Sequence, residues 1–221
     1  MGQGAGGRWR CGLAVAGVLV ASGTARAGTL PDTPLNRARM QIAVQELEIT
    51  LLTHPSATLA LEDWCAAHHM AASPVVTAHK MMPVGPDAVP ATVRTDLGVG
   101  ATQPVRHRQV QLVCGTHVLS VADNWYVPDR LDAGMNTTLE RTDTSFGHVV
   151  APLHFSRTRL EFTRLWSPWP GPATQARSVG MLDVPAVIIR QRAVLRDAQG
   201  QPFSEVVETY TDQTLDTFSP R

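Results

Sequence analysis

VRHRQVQLVCGTHVLSVADNWYVP, residues 105–128, is the stretch that decides the fold. Polar and apolar residues alternate through its first arm, residues 105–113, and apolar residues recur through its second arm, residues 118–127. A period of two is typical of β-strands, and Cys114-Gly115-Thr116 supplies a short turn between the arms. We therefore predict an antiparallel hairpin, with Arg108 on one face of its first strand and Val110 and Leu112 on the other.

Helices and further strands are predicted on both sides of this hairpin. Helices are predicted to begin at Pro34, after Thr33, and after Ser56, because threonine and serine cap helix N-termini and proline fits the first helical position. Another helical segment begins at Pro128. The remaining strands are predicted at residues 75–82, 154–166, 184–196 and 203–210. This pattern is typical of an α+β domain, with a single antiparallel β-sheet and helices packed at one end or face.

The first 27 residues resemble a secretory signal peptide. Arg8 and Arg10 precede an apolar run at residues 11–20, and Ala25-Arg26-Ala27 has the small-x-small form of a cleavage site. The apolar run is too short to span a bilayer. We therefore predict a signal peptide at 1–27, a single domain at 28–221, a periplasmic or secreted location, and no stable membrane insertion after cleavage.

Charge and cysteine content narrow the function classes. The 19 basic and 19 acidic side chains balance, and no basic cluster is interleaved with aromatic residues, so we expect no nucleic-acid partner. The adjacent His68 and His69 cannot share one ligand face of a helix, so no metal site is predicted. Removing the signal leaves Cys65 and Cys114, which an exported chain could join or keep as buried thiols.

Four short motifs occur in the order found in the chorismate pyruvate-lyase family, over residues 61–215. They are Arg108 with Val127-Pro128 closing the hairpin, Thr144-Ser145-Phe146-Gly147, Arg157 before Leu160-Glu161, and Gly200-Gln201-Pro202 followed by Glu208-Thr209-Tyr210. The chain therefore resembles a chorismate lyase-like protein that is exported. One departure is that the spacing from Pro202 to Glu208 is one residue longer than in the lyases, which requires a bulge.

The resemblance implies a lyase that eliminates pyruvate from chorismate, or a close relative, to give 4-hydroxybenzoate without a cofactor. Arg108 would hold a substrate carboxylate, because its guanidinium is a planar, permanently charged fork. Glu208 would be the catalytic acid/base group. Substrate would also contact the backbone N–H groups of Phe146, Gly147 and Met70, and the side chain of Arg157.

The sequence leaves alternatives at several of these positions. Glu205 is a rival to Glu208, since strand alternation puts the two carboxyl groups on opposite faces. Arg157 lies in FSRTRLEF, a pattern that is also typical of a half-solvated strand. A non-catalytic domain that binds an aromatic or cyclohexadiene carboxylate is the alternative function on the same fold. An exported interaction protein with a vestigial pocket is a third.

Overall fold

A computed structural model describes residues 30–81, 89–169 and 180–218 of the chain. Its strands are β1 (Val76–Lys80), β2 (Arg106–Cys114), β3 (His117–Tyr126), β4 (Ser156–Arg164), β5 (Val187–Arg196) and β6 (Pro202–Thr211). They form one sheet in the order β1-β2-β3-β6-β5-β4, and all neighbours are antiparallel. The predicted α+β class with a single antiparallel sheet is confirmed.

The helices are α1 (Pro34–Thr53), α2 (Ala57–Ala67), α3 (Ala91–Leu97), α4 (Ala133–Arg141) and α5 (Phe146–Val149). Short 3-10 turns occupy Pro128–Arg130, Ala151–Leu153 and Asp212–Phe218. Thr33 and Ser56 cap α1 and α2 as predicted, since their hydroxyls accept from the N–H groups of Asn36 and Leu59. The two helices that open the domain therefore begin where the sequence places them.

Two helical features differ from the sequence-based expectation. The helix predicted from Pro128 is instead a 3-10 turn, and α4 begins later because the Asp132 carboxylate accepts from Met135 N at 2.6 Å. α3 lies in a stretch interpreted as a loop-rich bridge, and it ends at Gly98, whose φ of 60° suits glycine. At seven residues, α3 has too few helical repeats to show a clear period.

The two faces of the sheet carry separate cores. One face packs against α1 and α2 in a cluster that includes Met40, Leu47 and Leu61. The other face packs against α3 through Val93 and Leu97. This division matters for the site, because successive residues of each strand point to different faces.

A disulfide joins Cys65 at the end of α2 to Cys114 at the end of β2. It ties one helix to the central hairpin, and both cysteines are fully buried. The predicted signal peptide at residues 1–27 lies outside the described residues. Within residues 30–81, 89–169 and 180–218, no helix is long and apolar enough to cross a membrane.

Candidate functional site

A cavity of about 40 Å³ lies between the sheet and the N-terminal ends of α2 and α5. Strands β2 to β6 supply its floor, and the two helices supply its roof. Its wall is mostly apolar. The polar or backbone-exposing residues that line it are Ser56, Thr58, Arg108, Asn124, Gly147, Arg157 and Glu208.

Arg108 brings an unbalanced positive charge to this cavity. The structure gives it no ion pair within the described part of the chain, and its Nε and Nη2 groups are buried without an acceptor. Burial lowers the pKa of the guanidinium, and Tyr126 and Asp143 offset this only in part. Arginine nevertheless keeps its proton in proteins, so these buried donors require an anionic or strongly polar acceptor.

Val110 and Leu112 line the cavity together with Arg108. The predicted assignment of these two residues to the opposite face is therefore wrong. The physical reason is simple, because positions two apart on a strand point to the same face. Arg108 thus lies at the polar end of an otherwise apolar row of side chains.

Asn124 lies directly across from Arg108 in the β2–β3 pairing, and both residues line the cavity. Ser204 Oγ donates to the carbonyl of Trp125 at 3.0 Å, so it can only accept from Asn124, whose Nδ2 lies 2.6 Å away. This hydrogen-bond network fixes the orientation of the Asn124 amide. The Asn124 Oδ1 atom is therefore a buried acceptor without a donor.

Arg157 and Glu208 form a buried ion pair in the cavity wall, and their side chains are 5% and 6% exposed. Glu208 Oε2 also accepts from Gln191 Nε2 at 2.9 Å and from the Tyr210 hydroxyl at 3.3 Å. Burial lowers the pKa of Arg157, but the adjacent Glu208 carboxylate more than offsets this, so the net shift is upward. β4 is a half-solvated strand, as its pattern indicates, but the Arg157 side chain lies on the buried side of it.

Glu205 points to the other side of the sheet, as strand alternation predicts. Glu208 pairs across from Ala122, a cavity residue, whereas Glu205 pairs across from Trp125 and lies near Arg192 and Asp96. The bulge expected between Pro202 and Glu208 is present as a register shift. Leu195 pairs with Ser204 and Arg196 with Pro202, so Phe203 has no partner on β5.

Gly147 allows α5 to approach α2 closely over the cavity. A Cβ atom at this position would lie 2.7 Å from Ser56 Oγ and 2.8 Å from Thr58 Oγ1. Phe146 and Gly147 are the first two residues of α5 and both line the cavity. The first N–H groups of a helix lack intrahelical acceptors, so these two positions can offer donors.

A second pocket of about 190 Å³ lies beside the first and shares Ser56, Gly147 and Phe155 with it. Its other residues are Pro55, Leu59, His148, Ala151 and His154. The inner cavity is polar at Arg108, and the outer pocket is lined mainly by apolar groups and two histidines. The two spaces adjoin at Ser56, Gly147 and Phe155.

Met70 is the predicted site residue that the structure does not bring to the cavity wall. Its N–H donates to the carbonyl of Cys65 at 3.0 Å, where it completes the end of α2. The sequence analysis missed Asn124, Ser56 and Thr58. For Asn124 the sequence carried no usable signal, because a one-residue register shift in the hairpin decides which β3 residue lies across from Arg108.

No group of three or more His, Cys, Asp or Glu side chains in the described parts of the chain could hold a metal ion. The polar groups that line the cavity are guanidinium, amide and hydroxyl groups, together with one carboxylate that is already paired. Those groups suit an organic anion.

Comparison with known proteins identifies one sequence relative. The chain is 44% identical over 199 residues to the uncharacterized protein y4mC of Sinorhizobium fredii, which covers 86% of this chain and 82% of that protein. The chain belongs to the y4mC family. No family model matches the sequence.

The solved structures that the comparison found are less similar to this y4mC family member in sequence. The effector domain of PhnF from Mycobacterium smegmatis has a TM-score of 0.45 and 12% identity, covering 72% of this chain and 89% of that one. A GntR-family transcriptional regulator from Enterococcus faecalis has a TM-score of 0.40 and 11% identity, covering 62% and 94%. These likenesses support no conclusion about ligands.

Proposed function

We propose that this domain binds a small organic carboxylate, with Arg108 as the residue that holds the carboxylate group. The observation that carries the proposal is the pair of buried N–H donors on Arg108 that have no acceptor. A bidentate carboxylate would satisfy both and would neutralise the charge. The N-terminal end of α2 faces the same cavity, and its dipole also favours an anion.

The sizes of the two spaces suggest how such a ligand would lie. By the usual volume of a cavity that holds one water, the inner cavity has room for roughly three waters, which is close to the size of a carboxylate group. A ring would therefore extend past Phe155 into the outer pocket. An aromatic or cyclohexadiene carboxylate has this division into a charged head and an apolar body.

A lyase acting on chorismate is the second candidate, and it is favoured by the presence of Glu208 in the same cavity as Arg108. The arrangement around Glu208 supports it less well than binding. Its carboxylate is already occupied by Arg157, Gln191 and Tyr210, so a proton transfer would first have to break these contacts. Binding alone requires no such rearrangement.

We further propose that the domain works outside the cytoplasm, after removal of residues 1–27. The Cys65–Cys114 disulfide supports this location, because disulfides persist mainly in oxidising compartments. The expectation that the chain has no nucleic-acid partner remains a prediction.

Calorimetric titration with 4-hydroxybenzoate tests the binding proposal. Wild type should bind, and Arg108→Ala should weaken binding by at least roughly thirtyfold, because a desolvated carboxylate loses a charged bidentate partner. Arg190→Ala, at an exposed arginine on β5, is the matched control and should bind as wild type does. 4-Hydroxybenzyl alcohol, which lacks the carboxylate, should not compete. Equal affinity in Arg108→Ala and wild type would refute the assignment.

A turnover assay separates the two candidate functions. Wild type is incubated with chorismate while pyruvate and 4-hydroxybenzoate are followed. If the domain only binds, neither product should form faster than in buffer. If both form, Glu208→Gln should lower the rate by roughly a hundredfold or more while ligand binding persists. Thermal melts of each variant would show that it is folded.

A further inference from the structure

Helix α1 has aliphatic residues on its outer face as well as on its buried face. Its buried side is formed by Met40, Ala43, Val44, Leu47 and Leu51. On the opposite side Leu35, Ile42, Ile49 and Leu52 are 60%, 54%, 61% and 42% exposed. A surface helix normally carries polar residues there, so this row of four large aliphatic side chains requires an explanation.

The exposed residues follow a heptad repeat. Leu35, Ile42 and Ile49 are seven residues apart, and Ala38, Gln45 and Leu52 follow each of them by three. These are the a and d positions of a coiled-coil seam, which lies along one side of a helix and buries itself against a second helix. All six residues are exposed in the single chain.

We propose that the outer face of α1 is a dimer interface, in which α1 packs antiparallel against α1 of a second copy of the chain. In an antiparallel pair, each a position faces a d position of the partner helix. One register then places Leu35 against Leu52, Ile49 against Ala38, and Ile42 against Gln45, with every contact repeated by the twofold axis. The face is therefore complementary to itself.

The flanking charges favour the antiparallel direction. Arg39 and Glu46 both occupy e positions and are both exposed. Side chains at e positions face each other in an antiparallel pair, so Arg39 of each copy would meet Glu46 of the other. The parallel direction pairs g with e positions and brings Gln41 to Glu46 and Glu48 to Thr53, which creates no pair of opposite charges.

The remaining flank does not oppose this arrangement. Gln41 and Glu48 occupy the g positions and would meet each other across the antiparallel pair. Glu48 already forms an ion pair with Arg164 of its own chain, so its charge is balanced before association. At 1.5 Å per residue the 20-residue α1 gives a contact line of about 30 Å. Such a seam suits a reversible dimer.

Sedimentation equilibrium of the full chain, purified with whatever N-terminal processing has occurred, tests the proposal. Wild type should dimerise reversibly within the range of about 1–200 µM, and Ile42→Glu should raise the dissociation constant by roughly a hundredfold, because it buries two carboxylates near the axis. Val75→Glu alters an aliphatic residue that is 54% exposed elsewhere and should leave the dimer unchanged. A wild type that stays monomeric would show that no second copy covers the face, and would overturn the proposal.

Charge reversal and cross-linking test the direction. Arg39→Glu and Glu46→Arg should each weaken the dimer, and the double variant should restore it. A chain with both Leu35→Cys and Leu52→Cys should form intermolecular disulfides, whereas Leu35→Cys alone should not, because the two copies of residue 35 would lie about 25 Å apart. Cross-linking through Leu35→Cys alone, or a dimer that survives Ile42→Glu, would refute this interface. Circular dichroism would establish that each variant is folded.

Discussion

At the scale of single residues, the contrast between the two cavity arginines decides what the site can do. Arg157 has a buried carboxylate partner, whereas the structure gives Arg108 no ion pair within the described residues. The sequence analysis gave Arg108 the substrate carboxylate and left Arg157 open between a substrate contact and a half-solvated strand, because the partner of each arginine is set by strand pairing. Removing Arg108 therefore breaks no ion pair within the described residues, whereas removing Arg157 would leave Glu208 buried without its cation.

Glu205 gives a prediction at the same scale. Its pKa is raised to about 7, mainly by burial and then by the nearby Asp96, while Arg192 opposes the shift. A carboxyl group whose pKa is raised by folding contributes stability that is complete below its unfolded pKa and is lost as pH rises through its folded pKa. The free energy of unfolding of wild type should therefore fall by on the order of 1–3 kcal/mol between about pH 4.5 and 7.5 because of this group.

Glu205→Gln removes this titration and should flatten that part of the stability profile. Urea unfolding at pH 5, 6, 7 and 8 would measure it, and the variant should be more stable than wild type at pH 8. Glu161→Gln, an exposed carboxyl on β4, serves as the control and should leave the pH profile unchanged. Parallel profiles for Glu205→Gln and wild type would show that Glu205 is not the responsible group.

At the scale of elements, a β-bulge in the hairpin decides which residue lies across from Arg108. Near the turn, Cys114 pairs with His117 and Val113 with Val118, but beyond the register shift Leu112 pairs with Ser120 and Arg108 with Asn124. An unshifted hairpin would place Asp123, not Asn124, across from Arg108. Alternation predicts that strands exist and cannot locate a single inserted residue, so Asn124 could not be assigned from the sequence.

The contact between α2 and α5 gives the prediction that belongs to this scale. Gly147→Ala should separate the two helices, since the added Cβ would overlap the hydroxyls of Ser56 and Thr58. We expect a loss of about 1–3 kcal/mol in unfolding free energy and weaker binding of 4-hydroxybenzoate. Gly100→Ala has open space around its Cβ and should change neither quantity. Unchanged binding in Gly147→Ala would mean that the α2–α5 contact does not shape the ligand site.

At the scale of the whole molecule, the sheet was largely predictable and its layering was not. Hydrophobic alternation predicted the central hairpin and the strands near residues 154–166, 184–196 and 203–210. The same patterns carry no information on which face α3 covers, because that depends on contacts between distant residues such as Leu97 and Val127. Arg108, Phe146, Gly147, Arg157 and Glu208, which the resemblance named as site residues, line one cavity, and their roles there remain predictions.

The disulfide connects the stability of the whole domain to the compartment where it folds. Cys65 and Cys114 are 49 residues apart, and closing a loop of that size stabilises a domain by about 2–4 kcal/mol.

If the chain is exported, protein from the envelope fraction should begin at Gly28 and have no thiol that reacts with a maleimide after unfolding. The same chain made in a reducing cytoplasm should have two reactive thiols beyond Gly28 and should unfold at lower urea concentration. The Cys65→Ala/Cys114→Ala variant should be equally stable from both sources, because it cannot form the bond. A full-length cytoplasmic product with reactive thiols at both positions would contradict export. Equal stability of oxidised and reduced wild type would show that the disulfide does not stabilise the fold.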